Sequence, residues 1–193
     1  MTAAVTERDP SRYAFWLASR SAGIVAFLLV ATSVLLGLYL AARLSRRPGA
    51  KRTLVKVHEQ VALAALVAIS AHGLLLLGDT WLSPGLGGLA IPFTMAYRPL
   101  FTGLGQVAGL LAFALGLSFY ARKRIGARRW RSAHRLMPVV YVLGAVHALG
   151  AGSDGAGLWL QGIVVLTALP MAGLLVARWR PAPPRTTAPA APR

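Results

Sequence analysis

The sequence holds four histidines, and they fall into two pairs. His58 and His72 are 14 positions apart, and His134 and His147 are 13 apart. Neutral imidazole is the commonest protein ligand for metals, binding through whichever ring nitrogen carries no proton. All four histidines lie in or beside long apolar runs. Ionisable residues inside a bilayer are costly, so they read by default as functional. A lone histidine there is as readily a hydrogen-bonded interior group; two matched pairs on separate segments point to ligation. There is no cysteine, which excludes disulfides, iron–sulfur clusters, thiolate metal sites and covalent attachment of c-type haem.

The spacing sets the scale of the centre. Fourteen helical residues rise about 21 Å and thirteen about 20 Å. Two histidines of one segment therefore cannot share one small metal site. If the two segments face each other and enter the membrane from the same side, His58 stands level with His134. His72 then stands level with His147. Each level offers two imidazoles from opposite sides, as six-coordinate haem iron requires. The expectation is two b-type haems (heme b), one near each membrane face, with His58, His134, His72 and His147 as iron ligands. A step of 14 returns to within about 40° of one helix face, whereas a step of 13 misses by about 140°. The second segment thus needs a local adjustment, and Pro138 lies between its histidines. A chain with a single haem is expected to lack the His72–His147 site.

Neighbouring residues admit both a functional and a plainer role. Gly73 and Gly144 fit the close approach of a flat macrocycle, or ordinary close helix packing. Arg20 and Arg98 on one side, and Lys56, Arg124 and Arg135 on the other, suit haem propionates, or simply topology and headgroup contact. Glu59 beside His58 suits ligand tuning or proton carriage, or pairing with a basic loop residue. Phe113, Phe119 and Tyr141 are candidates to lie between the haems, or to pack.

The elements that must position these residues are helices across a bilayer. Of 193 residues, 56% are hydrophobic and only 13% charged, about half the charged fraction of a soluble domain. Uncharged runs of 22, 23 and 23 residues cover 21–42, 99–121 and 155–177, and roughly 20 suffice to span. Five spans are expected, at about 21–42, 57–78, 100–121, 134–152 and 157–177, in an all-α polytopic bundle. The first is read as a retained span, because no basic n-region, short apolar core and cleavage site precede it. Residues 1–20 read as a tail, either interfacial at Tyr13, Phe15 and Trp16 or disordered, and 179–193 as a disordered Pro/Ala-rich tail. The uncharged stretch 80–97 is not expected to span, because Pro84, Gly85, Gly87, Gly88 and Pro92 break it repeatedly.

The net charge is +16. The basic residues sit in short loops rather than in an aromatic-interleaved patch, which argues against nucleic acid. Six lie in 43–56, seven in 122–135 and four in 178–193, together 17 of the 21. The positive-inside rule places those segments in the cytoplasm, and so the N-terminus outside.

The chain resembles the ferric-reductase-like transmembrane domain found in ferric reductases, NADPH oxidases and the haem-binding membrane subunit of the bacterial methionine sulfoxide reductase system. The matching features are the two histidine pairs, the basic Trp-containing run Arg128-Arg129-Trp130-Arg131-Ser132-Ala133-His134-Arg135-Leu136, and the stretch Ser118 to Gly126 before it. The resemblance covers about residues 20–178. It implies that His58 and His134 hold an inner haem, that His72 and His147 hold an outer one, and that electrons flow outwards from the cytoplasm. Ferric reductases and NADPH oxidases append flavin and nicotinamide modules, and no Gly-rich nucleotide motif follows the last span here. The expectation is therefore an oxidoreductase component of the cell membrane with no flavin on this chain. Its donor would be a separate flavoprotein reductase or a membrane quinol. Its acceptor would be ferric iron, an outside protein or oxygen. The competing reading is a non-redox membrane scaffold or small transporter whose histidines hydrogen-bond between helices. Against it, the spans hold no acidic relay and no pair of broken helices.

Overall fold

Apolar runs without a polar face make helices that surround themselves with lipid and one another. The computed structural model describes residues 13–44 and 49–178, and among these every regular element is a helix. In chain order they are α1 (Ala14–Ala41), α2 (Ala50–Leu76), α3 (Gly85–Ala90), α4 (Pro99–Leu117), α5 (Arg122–Ile125), α6 (Ala127–His134), α7 (Met137–Ala151) and α8 (Leu158–Ala177). Four of them, α1, α2, α4 and α8, are long and apolar enough to cross a membrane. The protein is a polytopic helical membrane bundle. The expected tail segments 1–12 and 179–193 lie outside the described residues.

Two expectations change in detail, and the stretch 80–97 does not span, as expected. Ala14–Arg20, assigned to a tail, form the first two turns of α1. Their charge, Arg20, is neutralised by a carboxylate from the far end of the chain, Asp154. The expected span 134–152 divides: His134 closes α6, and α7 begins at Met137 with Pro138 in its first turn. Proline is tolerated there because the first turn's N–H groups have no intrahelical acceptor. At 15 residues α7 rises about 22 Å, short of a roughly 30 Å hydrocarbon core. Within 80–97 the only helix is the six-residue α3. Gln106 of α4 fastens this segment down. Its amide donates to the carbonyls of Gly88 and Leu89, and its oxygen accepts the Phe93 N–H at 3.2 Å.

The bundle is built on two helix pairs, α1 with α2 and α4 with α7, which share the most extensive contacts. Small residues allow the approach: Ala31, Ala65, Ala108, Ala112 and Ala145 are buried where these helices meet. Phe27 of α1 stacks on Tyr141 of α7 with ring centres 5.5 Å apart. The Tyr141 hydroxyl contacts Thr167 Oγ1 at 2.7 Å and donates to the Val164 carbonyl at 3.1 Å, tying α7 to α8. Tyr141 is thus a packing and anchoring residue.

Candidate functional site

Antiparallel packing of α1 on α2 and of α4 on α7, with α7 also against α1, brings all four histidines together in cross-helix pairs. The ring centres of His58 and His134 are 6.2 Å apart, and those of His72 and His147 are 6.1 Å apart. Neither pair is joined by a hydrogen bond between its rings. The pairing is the one the spacing predicted. The mismatch of a 13-residue step is resolved by the break at Arg135 and Leu136, which lets His134 project from α6 and His147 from α7 independently.

Hydrogen bonds fix the tautomer of the second pair. His72 Nδ1 lies 2.8 Å from the carbonyl oxygen of Ser19, and His147 Nδ1 lies 2.9 Å from that of Phe101. A carbonyl only accepts, so each Nδ1 carries the hydrogen and each Nε2 presents a free lone pair. His58 Nδ1 has a long contact, 3.4 Å, to Ser33 Oγ. His134 Nδ1 is buried without a partner among the described residues, as is Trp130 Nε1. Trp130 stacks on His134 with ring centres 5.1 Å apart and planes at 26°.

A half-open cavity of about 550 Å³ surrounds the second pair, within the roughly 300–1,000 Å³ range of ligand pockets. His72, His147, Phe113 and Gly144 line it, with Leu89 and Met95 from the segment that Gln106 fastens. A Cβ on Gly144 would meet nothing within 4 Å, so a flat face is open there. Gly73, also on the lining, abuts Leu89 instead. The pair that the sequence made the more expendable therefore lines a cavity of ligand size.

The charged candidates are mostly engaged elsewhere. Arg20 makes a two-point ion pair with Asp154, which holds that carboxyl below the usual carboxylate range. Arg98 donates to the Gly150 carbonyl. Glu59 accepts from Tyr120 at 3.3 Å. Phe119 lies edge-on to Trp130. Among the described residues no three His, Asp or Glu side chains converge on a single point. Each imidazole pair thus supplies two ligands and no more. That suits a metal whose other positions are already filled by a planar macrocycle, and not a bare ion needing four protein ligands.

Sequence reasoning passed over Phe101 and Gly105 of α4, beside His147, and four residues on α1. Ser19 and Ser33 are buried beside His72 and His58, and Gly23 and Gly37 lie under the same two rings. Their signal was present: Ser19 and Ser33, and Gly23 and Gly37, repeat at 14, the spacing of His58 and His72.

Residues 22–145 match the family model described as ferric reductase like transmembrane component. The matched segment holds His58, His72 and His134 and ends two residues before His147, which the ring pairing with His72 brings into the same constellation. No solved structure matches the chain. With well over half of its length covered by that model, the chain belongs to the ferric reductase-like transmembrane component family.

Proposed function

We propose that this protein is a transmembrane electron-transfer component of the cell membrane, holding two b-type haems between His58 and His134 and between His72 and His147. One observation carries the reading: two pairs of imidazoles face each other across helices at nearly the same separation, 6.2 and 6.1 Å between ring centres. Two metal–nitrogen bonds of about 2.0–2.1 Å, plus about 1 Å from each nitrogen to its ring centre, give roughly 6 Å. The absence of cysteine from the sequence favours non-covalent haem. When bound, haem supplies a one-electron iron couple.

The protein's own part is positional. α2 carries one ligand for each level, about 21 Å apart along its axis. α6 and α7 carry the opposing ligands, and the apolar helices exclude water. The basic segments 43–56 and 122–135 set the His58–His134 end in the cytoplasm by the positive-inside rule. Electrons then enter from a flavoprotein reductase or a membrane quinol on that side. They leave from the His72–His147 end to an acceptor outside: ferric iron, a protein or oxygen. The chain works as an oxidoreductase component rather than as a self-sufficient enzyme.

The test is a pyridine haemochrome assay and an absorption spectrum on protein purified in detergent after haem-replete expression. Two haems per chain, with low-spin bis-imidazole spectra, are expected. A protein without a Soret band is a non-redox scaffold or transporter, and the proposal fails.

A further inference from the structure

A hydroxyl inside an apolar helix costs free energy unless it is hydrogen-bonded. Ser19 is only 1% exposed and Ser33 only 3%. Both face the histidines of α2. Ser19 Oγ donates to the His72 carbonyl at 2.8 Å and lies 3.1 Å from His72 Nδ1, while the Ser19 carbonyl accepts from Nδ1 at 2.8 Å. One turn on, at i+4 and so on the same helix face, the ring of His72 rests on Gly23. A Cβ there would lie 2.9 Å from Nδ1 and 3.0 Å from Cε1.

The same arrangement recurs on α4. The Phe101 carbonyl accepts from His147 Nδ1, and one turn on, a Cβ at Gly105 would run into the His147 ring. The geometry has a simple cause. In a helix the carbonyl of residue i points at the N–H of residue i+4, so a side chain at i+4 screens its free lone pair. A glycine at i+4 unscreens it and leaves room for a flat ring. On α1 the device is repeated for His58 in looser form. Ser33 Oγ is 3.4 Å away, and a Cβ at Gly37 would lie 3.2 Å from Cε1. His134 has no such seat among the described residues; its Nδ1 is unpartnered and its ring rests on Trp130.

We propose that Ser19 with Gly23, and Phe101 with Gly105, are positioning seats that lock the rings of His72 and His147, and that this makes the two iron sites electronically unequal. The inference rests on the haem reading above. An imidazole whose Nδ1–H is held by a carbonyl is a more basic ligand, and it favours the oxidised metal. Both ligands of the His72–His147 site are held this way. At the His58–His134 site neither ring makes a bond as short as these; the nearest side-chain contact is the 3.4 Å one from Ser33 Oγ to His58 Nδ1. The seats therefore lower the reduction potential of the His72–His147 site more than that of the other.

The test uses the full chain in detergent, loaded with haem, with three readouts: haem per chain, both midpoint potentials, and the low-spin g-values by electron paramagnetic resonance. Gly23→Ala and Gly105→Ala are each expected to lower haem content from two per chain towards one, the remaining haem keeping its wild-type potential. Ser19→Ala keeps the carbonyl that accepts from Nδ1 and loses only the Oγ contacts, so it is expected to keep both haems with a small change in one haem's g-values. Gly162→Ala in α8, where a Cβ meets nothing within 4 Å, is the silent control. If the glycine variants fail to fold, His58→Ala decides: it leaves only the His72–His147 haem, and the midpoint potential of that haem is expected to be the lower of the two found in the wild type. A remaining haem with the higher potential, or two equal potentials in the wild type, overturns the seats while leaving the haem reading intact. Wild-type protein without haem overturns the haem reading itself.

Discussion

Asp154 grips Arg20 with both carboxylate oxygens, Oδ2 to Nε and Oδ1 to Nη2, each at 2.6 Å. The pair ties the first turns of α1 to the connection between α7 and α8. Arg20 also lies over the Trp16 ring, its guanidinium carbon 5.5 Å from the ring centre. Bidentate geometry makes such a pair stronger than a lone surface contact, although both side chains keep partial access to solvent. The guanidinium holds the Asp154 carboxyl below the ordinary range, and the unfolded value is about 3.9. The contribution is thus complete above that value and is lost as pH falls through the depressed folded value. Asp154→Asn is expected to cost on the order of 1 kcal/mol or less near neutrality. It should also flatten the acid limb of the melting temperature against pH. An unchanged acid limb would assign that limb to other carboxylates.

Histidine substitutions should act in pairs. His72→Ala and His147→Ala are each expected to remove the same haem, and the double variant should retain one haem per chain. His58→Ala combined with His72→Ala should retain none. Haem stoichiometry measured across these four variants separates paired ligation from independent structural roles. Losses that add within a supposed pair would break the pairing.

Gln106 holds the 80–97 segment by an amide that serves the backbone of Gly88, Leu89 and Phe93. Each such hydrogen bond contributes roughly 0.5–1.5 kcal/mol net. Gln106→Leu removes all of them and leaves backbone groups to find water. Hydrogen–deuterium exchange should become faster across residues 87–94 and stay at wild-type rates in α1. Wild-type protection in that stretch would show that the segment is held by its apolar contacts alone.

At the crossing of α4 and α7, Gly150 lies against the ring of Phe101 closely enough that a Cβ would overlap it. Overpacking of this kind costs typically about 1–3 kcal/mol. Gly150→Ala is expected to lower the detergent melting temperature by several degrees. Gly173→Ala, which meets open space, should leave it unchanged.

Tyr141→Phe keeps the stack on Phe27 and removes only the hydroxyl that reaches Val164 and Thr167. The expected loss is about 1 kcal/mol of stability with no change in haem content or spectrum. A spectral change would place Tyr141 at the haem rather than in the α7–α8 anchor.

The spans were legible because a helix facing lipid needs no polar side, so unbroken apolar runs announce themselves. The failure of 80–97 to span was legible for the converse reason: Pro84, Pro92 and the glycines between them cannot sustain a long helix, and α3 stops after six residues. The histidine partnership was legible from equal rises along two segments. What escaped notice depended on a second chain segment. Ala14–Arg20 looked like a tail because Arg20 appeared as an unpaired charge, and its neutraliser is 134 positions away. The break after His134 was half visible: Pro138 marked the place, but whether the chain kinked or started a new helix depended on where α2 holds His58. The seats of Ser19, Gly23 and Gly105 have meaning only once α1 and α4 are laid against particular imidazoles. In sequence they are small residues among many.

The two-residue interruption at Arg135 and Leu136 gives the ligand pairs different mechanical footing. His72 and His147 belong to helices locked by ring-to-backbone contacts on both sides. His134 ends an eight-residue helix on which Arg128, Arg129 and Arg131 are exposed. Trp130 stacks on the His134 ring within that short helix, and the break at Arg135 and Leu136 separates both from α7. One histidine pair thus depends on a jointed element, and the other on continuous helices.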